Sequence, residues 1–505
     1  MDTADIDTES LLEVYFVDVG QGDGVLVKTP DSKHILIDAG LARLDQQTGK
    51  NAADFVDWKY FFDYGDYRVR LDSLMASHSD IDHYGGLHDL VRDTELADRE
   101  LDCTGVDIKT FHHPGLSRWV NIPGANPPHS DGLGPKVGDG FTRLLGDRND
   151  AEAAILGSGT EKLSGPWGRF IRDVLKNSAK TRVEQLMVAR EDIQNGKALA
   201  NLWQPSAGCE INVLAPVSYL ESGKTALPDF GVKSKNTNGH SICLRIKYGK
   251  SRILLTGDLN TKSMHWLEES YDDRISVFKC DVAKACHHGS DDVSYRFLEA
   301  INAGATVISS GDAEGYAHPR PEITAASACT GHKNIDRKAD KLITPLLYMT
   351  EIERSVTVGA INRIDISGMQ VGNESHDGVI LGRPVDELDD KAFLSPADRK
   401  ALKGLSQKDK TKAIKKARKT AEPGFAAVED ATRRGTVRVD FNLSVPLGPV
   451  DEENVSKRAW RSRMMQKTHY GLVNMRTDGK TIMCATMDET GRKWIIHTFP
   501  ARFPE

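Results

Sequence analysis

Two imidazoles and two carboxylates crowd into six consecutive positions in the run His78-Ser79-Asp80-Ile81-Asp82-His83, which follows an apolar stretch and precedes Gly85-Gly86. Donors of this kind at this density suit zinc, manganese or iron, and a strand end followed by glycines lets closely spaced side chains converge on one cavity. Groups of the same chemistry recur downstream. Asp258 closes Leu254-Leu255-Thr256-Gly257, the pair His287-His288 closes another apolar stretch, and His318 precedes Pro319. Adjacent residues at a strand end point to opposite sides, so His287 and His288 are expected to differ in role. Asp18 and Asp38 end strands beside the first motif, where a carboxylate can accept the distal N–H of a ligating imidazole. Asp23 has two open roles, hydrogen bonding within its own glycine-rich turn or a metal contact.

The elements that must position these groups read as alternating strands and helices. Residues 14–18, 24–28 and 34–38 form three short strands separated by Gly, Pro and Asp turn signals, an antiparallel meander. The spacing Gly20-x-Gly22-x-Gly24 does not make a dinucleotide loop, because Val25-Leu26-Val27 continues as a strand where that motif requires a helix. A strand is expected over 71–77 and a helix over 85–93, with the motif in the turn between them. Periodicity predicts helices over 169–180 and 183–194. Strands at 210–215, 241–247, 252–256, 281–286 and 305–310 then alternate with helices at 262–271 and 295–303, which favours a layered α/β fold. The chain closes with strands at 471–475, 481–487 and 493–497.

Composition bounds the remaining possibilities. The chain has 505 residues, 39% hydrophobic and 28% charged, so it is long enough for a large core and is not a disordered polymer. No apolar run approaches about 18 residues and the acidic N-terminus lacks the features of an export signal, so a cytoplasmic protein without a membrane partner is expected. Seven scattered cysteines without a Cys-x-x-Cys pair read as reduced core thiols. Net charge is −7, yet residues 399–467 carry 18 Lys and Arg against 8 Asp and Glu, a local +10 that leaves −17 on the rest. Within that segment Lys412, Lys415, Lys416, Arg418 and Lys419 lie on a stretch expected to be helical, either a grip on a phosphate backbone or a solvated basic face.

Taken in order, Phe16-Val17-Asp18-Val19-Gly20-Gln21-Gly22-Asp23, Leu36-Ile37-Asp38-Ala39-Gly40, the His78–His83 run, Asn238-Gly239-His240-Ser241, Leu254–Asp258, Ala285-Cys286-His287-His288-Gly289-Ser290 and Tyr316-Ala317-His318-Pro319 resemble the ComEC, competence-type branch of the metallo-β-lactamase superfamily. The terminal Tyr470–Gly479 stretch is similar to that branch's closing hairpin. The resemblance implies a four-layer αβ/βα sandwich of α/β class with helical insertions. A catalytic domain would span 10–113 and 205–370, with a helical insertion at 114–204, a basic, partly helical insertion at 371–467, and a hairpin at 468–505 that rejoins the core.

It further implies one or two divalent ions, with His78 and Asp80 at a first metal, Asp82, His83 and His287 at a second, and Asp258 bridging them. Asp80 stands where a second histidine is usual, which makes the first site oxygen-rich and shifts preference from zinc toward manganese or magnesium. Either Asn238 or His240 is placed to add a ligand or a substrate contact. His287 is the favoured ligand of its pair, leaving Asp82, His288 and His318 to act on the substrate. The implied activity is a metal-dependent phosphodiesterase or nuclease that cleaves DNA or RNA through a metal-bound hydroxide. Hydrolysis of a small cyclic nucleotide, ester or lactone is one alternative, and a catalytically inactive binding or regulatory protein is another. The insertions offer surface for a protein partner, and nothing in the sequence sets an oligomeric state.

Overall fold

The computed structural model describes residues 10–45, 51–92, 101–120, 132–157, 161–311, 318–350, 472–487 and 494–504, and the backbone of strands Thr357–Val371, Glu374–Ile380 and Thr436–Ser444. Two compact units divide the chain. One comprises Met1–Asp312, His318–Glu353 and His469–Glu505, and the other Ala313–Ala317 and Arg354–Thr468. In the second unit the three strands just named form an antiparallel sheet with Thr357–Val371 at its centre. The basic residues Lys412, Lys415, Lys416, Arg418 and Lys419 lie outside the described residues.

Two sheets build the first unit. In a nine-stranded sheet Leu12–Phe16 pairs with Gly24–Lys28 on one side and with Val473–Thr477 on the other, and Thr481–Met487 and Trp494–Pro500 continue the sheet from there. Beyond His34–Ala39 the sheet continues in parallel through Val69–Met75, Val106–His113 and Arg182–Gln185. The second sheet has seven strands, among them Cys209–Ala215, Cys243–Tyr248, Ser251–Leu255, Val282–Lys284 and Ala305–Ile308.

Alternation along the strands explains the layering. Leu12, Val14 and Phe16 enter the core shared with the second sheet, as do Val25, Val27, Ile35 and Ile37, whereas Tyr15, Val17, Leu26 and Leu36 face a second core on the opposite side. That second core is roofed by helices Ala52–Trp58, Ile81–Arg92 and Gly165–Asn177, with Tyr84 stacked on Phe170. Helices Thr261–Tyr271, Tyr295–Ile301 and Pro321–Thr330 contribute Met264, Leu267, Phe297 and Ile323 to the core of the second sheet. The α/β class and the layered αβ/βα order are therefore as expected.

Two local expectations are corrected. The helix expected over 85–93 spans Ile81–Arg92, so Asp82 and His83 lie in its first turn while His78 and Asp80 precede it. Gly85 and Gly86 do not open it: a Cβ on Gly85 would stand 2.3 Å from Ala42 N and one on Gly86 2.2 Å from Ala39 O, so the glycines let the helix lie against the neighbouring chain. The helix over 183–194 is instead a strand, Arg182–Gln185, followed by Val188–Ala189 and a short helix, Arg190–Gln194. Parallel pairing with Val106–His113 overrides the helical periodicity.

All seven cysteines are free, and only Cys329 is exposed. No helix among the described residues is long and apolar enough to cross a membrane. The C-terminal segment is locked by Arg502, whose Nε donates to Asp281 Oδ1 at 2.9 Å and whose other nitrogens reach Asn302 and the Cys280 carbonyl. Burial pushes the fully enclosed Asp281 carboxyl up, and the Arg252 N–H at 2.9 Å and then Arg502 draw it partly back. Arg502→Met is expected to lower unfolding free energy by about 3 kcal/mol at neutral pH, because it strands a buried carboxylate. Without its cation the Asp281 pKa rises further, so urea titrations should show the deficit shrinking as pH falls through that pKa and the carboxyl protonates.

Candidate metal centre

Loops at the carboxyl ends of strands from both sheets converge on one buried point, the usual location of ligands in open α/β sheets. From the first sheet come Asp23, just before Gly24–Lys28, Asp38, within His34–Ala39, and the motif that follows Val69–Met75. From the second come Asp258, after Ser251–Leu255, Lys284, at the end of Val282–Lys284, and His288 beyond it.

Donor atoms of Asp23, His83, Asp258 and His288 all lie within 4.8 Å of one another, and all four residues are buried. Which ring nitrogen each carboxylate faces separates their roles. His83 Nε2 lies 3.2 Å from Asp258 Oδ2 and 3.1 Å from His288 Nε2, which is itself 3.0 Å from Asp258 Oδ2. Asp82 approaches the same two nitrogens, at 4.0 Å from His83 Nε2 and 3.8 Å from His288 Nε2. Asp38 Oδ2 instead meets His83 Nδ1 at 2.8 Å, and Asp23 Oδ1 faces His288 Nδ1 at 3.3 Å. Two imidazole Nε2 atoms and the Asp258 and Asp82 carboxylates thus share one focus, while Asp38 and Asp23 address the rings from behind, the arrangement by which carboxylates orient metal-ligating histidines.

Electrostatics agree with a cation at that focus. Burial alone would depress both imidazoles, yet Asp258, Asp38 and Asp82 hold His83 well above the ordinary histidine range. Asp258 and Asp23 likewise outweigh burial at His288 and raise it to about 9. Asp258, despite its burial, is held well below the usual carboxylate range by His288, His83 and His287. A field that binds protons on neighbouring imidazoles also favours a divalent ion between them, and the two-nitrogen, carboxylate-rich donor set suits such an ion.

Local backbone serves this convergence. His287 (φ 48°) and His288 (φ 51°) occupy the left-handed region consecutively, a conformation that strains non-glycine residues by roughly 1–3 kcal/mol each. The tight turn replaces the strand-end alternation expected of this pair and brings His288, rather than His287, into the group of four. His287 Nε2 stays 3.9 Å from Asp258 Oδ2 and meets the Asn238 amide at 3.0 Å. Gly22, at φ +112°, lets its loop touch the motif: a Cβ there would stand 1.9 Å from Asp82 O.

The other candidates are distributed around this focus. His78 is buried with Nδ1 between Ser77 Oγ (3.0 Å) and Ser241 Oγ (3.2 Å), and burial, then His83, pushes it down to about 4. Its Nε2 makes no hydrogen bond among the described residues and lies 3.8 Å from Asp80 Oδ2. Asp80 Oδ1 pairs with Arg118. Asp80 Oδ2 accepts from Thr237 Oγ1 at 3.1 Å and, with the Asn238 amide nitrogen turned toward it, from Asn238 at 2.8 Å. His240 points away: its Nε2 donates to Pro228 O at 2.8 Å and its ring stacks on Phe230. Asp18 Oδ1 accepts from Gly20 N at 3.1 Å and so braces the turn that carries Asp23. His318 is buried beside His287 and His288, with ring centroids 6.0 and 6.4 Å away.

Sequence reasoning missed Lys284 and Arg118. Lys284 is fully buried, pairs with Asp23, lies 3.6 Å from Asp258 Oδ1 and donates to Gly257 O at 2.9 Å. A lysine inside the apolar stretch Val282-Ala283-Lys284-Ala285-Cys286 was a readable signal, since lysine is almost never fully buried unless paired. Arg118, in a loop about forty residues from Asp80 in sequence, offered none.

No family model matches the chain. The competence protein ComA of Neisseria gonorrhoeae is 38% identical over 92 residues, which are 18% of this chain and 13% of that protein's length. Among solved structures, the metallo-β-lactamase fold protein YhfI from Bacillus subtilis is 12% identical with a TM-score of 0.30, over 67% of this chain and 96% of that one. The chain is similar to metallo-β-lactamase fold proteins. A HARLDQ-motif mutant of a metallo-β-lactamase from Cronobacter sakazakii is 13% identical with a TM-score of 0.23, over 54% and 75% of the two chains. A diphosphatase of the PhnP family is 13% identical with a TM-score of 0.25, over 59% and 85%.

Asp38→Asn keeps the shape of the contact but removes the acceptor charge behind His83. Competition with a fluorescent chelator is expected to show metal affinity reduced 10- to 100-fold, at the magnitude typical of such outer partners. An affinity within about twofold of wild type would mean that Asp38 serves only the backbone N–H of Ser77, which it also accepts at 2.7 Å.

Proposed function

We propose that the protein is a metal-dependent hydrolase acting on phosphodiesters of DNA or RNA. The observation that carries this reading is the convergence of His83 Nε2, His288 Nε2, Asp258 and Asp82 on one buried point between two sheets. A divalent ion held by these groups would polarise a phosphoryl oxygen and lower the pKa of a water molecule toward neutrality.

The chain's own residues supply the rest. Asp38 and Asp23 keep the two imidazoles turned so that both Nε2 atoms face inward. Asp82, whose side chain is 24% exposed, is the most accessible carboxylate of the set, which suits it to accept a proton from an attacking water. Burial, followed by His288 and His287, pushes His318 down to about 4. That supports a neutral imidazole offering an N–H to a phosphoryl oxygen rather than a protonated acid. Nucleic acid as the substrate is supported by the positive segment at 399–467 and is compatible with the likeness to a competence protein.

Labelled single- and double-stranded DNA and RNA, incubated with manganese, zinc or magnesium and with EDTA as control, test the proposal. Cleavage is expected only with metal, and Asp258→Ala of confirmed fold should lose about 1,000-fold in rate, the equivalent of roughly 4 kcal/mol of transition-state stabilisation. Metal binding without nucleic-acid cleavage would move the substrate to a cyclic nucleotide, ester or lactone. Neither metal nor turnover would leave a binding or regulatory protein.

A further inference from the structure

We infer that the centre takes a single divalent ion, at the focus of His83, His288, Asp258 and Asp82, and that the charges of Lys284 and Arg118, ion-paired with Asp258 and Asp80, disfavour a second ion on the carboxylates it would require. The inference rests on the metal-dependent reading above and specifies its stoichiometry.

A carboxylate that bridges two ions offers one oxygen to each. Asp258 Oδ2 faces His83 and His288, and its Oδ1, which accepts no hydrogen bond among the described residues, lies 3.6 Å from the Lys284 ammonium. Lys284 is held beside Asp258 by its own partners. It is carried on a central strand of the second sheet, is fully buried, and is tied to Asp23 and to the Gly257 carbonyl. Its ammonium repels any ion that approaches Oδ1.

The opposite flank is closed in the same way. A second ion would look to His78 and Asp80, yet both Asp80 oxygens are engaged, Oδ1 by Arg118 and Oδ2 by Thr237 and Asn238. Arg118 is fixed in turn by its Nε donating to Ser79 O at 3.0 Å. The carboxylate nearest His78 Nε2, Asp80 at 3.8 Å, is thus already neutralised by a guanidinium, and one imidazole alone is a weak site. His240 cannot make up the set, because its Nε2 is spent on Pro228 O.

The test loads the full chain with excess Mn(II), removes unbound metal by gel filtration, counts manganese by mass spectrometry and records the electron paramagnetic resonance spectrum. About one manganese per chain is expected, with the hyperfine pattern of an isolated ion. Two per chain with the spectrum of an exchange-coupled pair would overturn the inference, since two-metal centres hold their ions within about 4 Å. Lys284→Gln removes the charge at similar length, and in a variant that melts like wild type the count should rise toward two. A count that stays at one would remove Lys284 from the explanation, and Arg118→Gln applies the same test to the other flank. One bound ion with no hydrolysis of any substrate would sink the hydrolase reading while this inference stands. Two bound ions with hydrolysis would do the reverse.

Discussion

A carboxylate buried without a counter-charge either takes up a proton or destabilises its surroundings. Asp258 is 2% exposed and avoids both outcomes because cationic or potentially cationic groups surround it on every side: His83 and His288 at Oδ2, Lys284 at Oδ1, and His287 beyond. Much of the neighbouring structure exists to supply those partners. The left-handed turn at His287 and His288 aims the second imidazole, and Ser241 Oγ accepts from Asp258 N at 3.0 Å while also reaching His78.

The same requirement ties the active point to the fold. His83 and Asp38 come from the nine-stranded sheet, Asp258, Lys284 and His288 from the seven-stranded one, and the apolar residues between the sheets set their separation. Val25, Ile37, Met75, Leu244 and Leu255 belong to that core and, with Asp23, Asp38 and Lys284, line a small cavity. Core packing there is inseparable from ligand geometry, since a shift in sheet spacing displaces one half of the donor set against the other.

Sequence reading recovered the layered architecture because strand alternation and the order of helices and strands are local patterns. It singled out His83, Asp82 and Asp258, which the fold brings together, because carboxylates and imidazoles packed at strand ends have few structural uses. It was less successful where tertiary contacts decide. The segment 183–194 has helical periodicity but gains a ladder of hydrogen bonds from the neighbouring strand. The order of His287 and His288 depends on two positive φ angles that no side-chain pattern announces. Asn238 and His240 stand two residues apart with equal claims in sequence, and only the fold sends one toward Asp80 and His287 and the other toward Pro228. Arg118 reaches Asp80 from a distant loop, a contact invisible in one dimension.

His83 and Asp258 are 175 residues apart in sequence and are brought together only when both sheets are in place. Forming so distant a contact is slow, because the entropy of closing the intervening chain must be lost before any reward is gained. An unfinished chain emerging from the ribosome therefore presents scattered histidines and carboxylates but no coordination cage. A divalent ion at this point would therefore bind only after the two sheets have come together, and a chain that fails to bring them together would forfeit the extra stability that such binding confers on the native state alone.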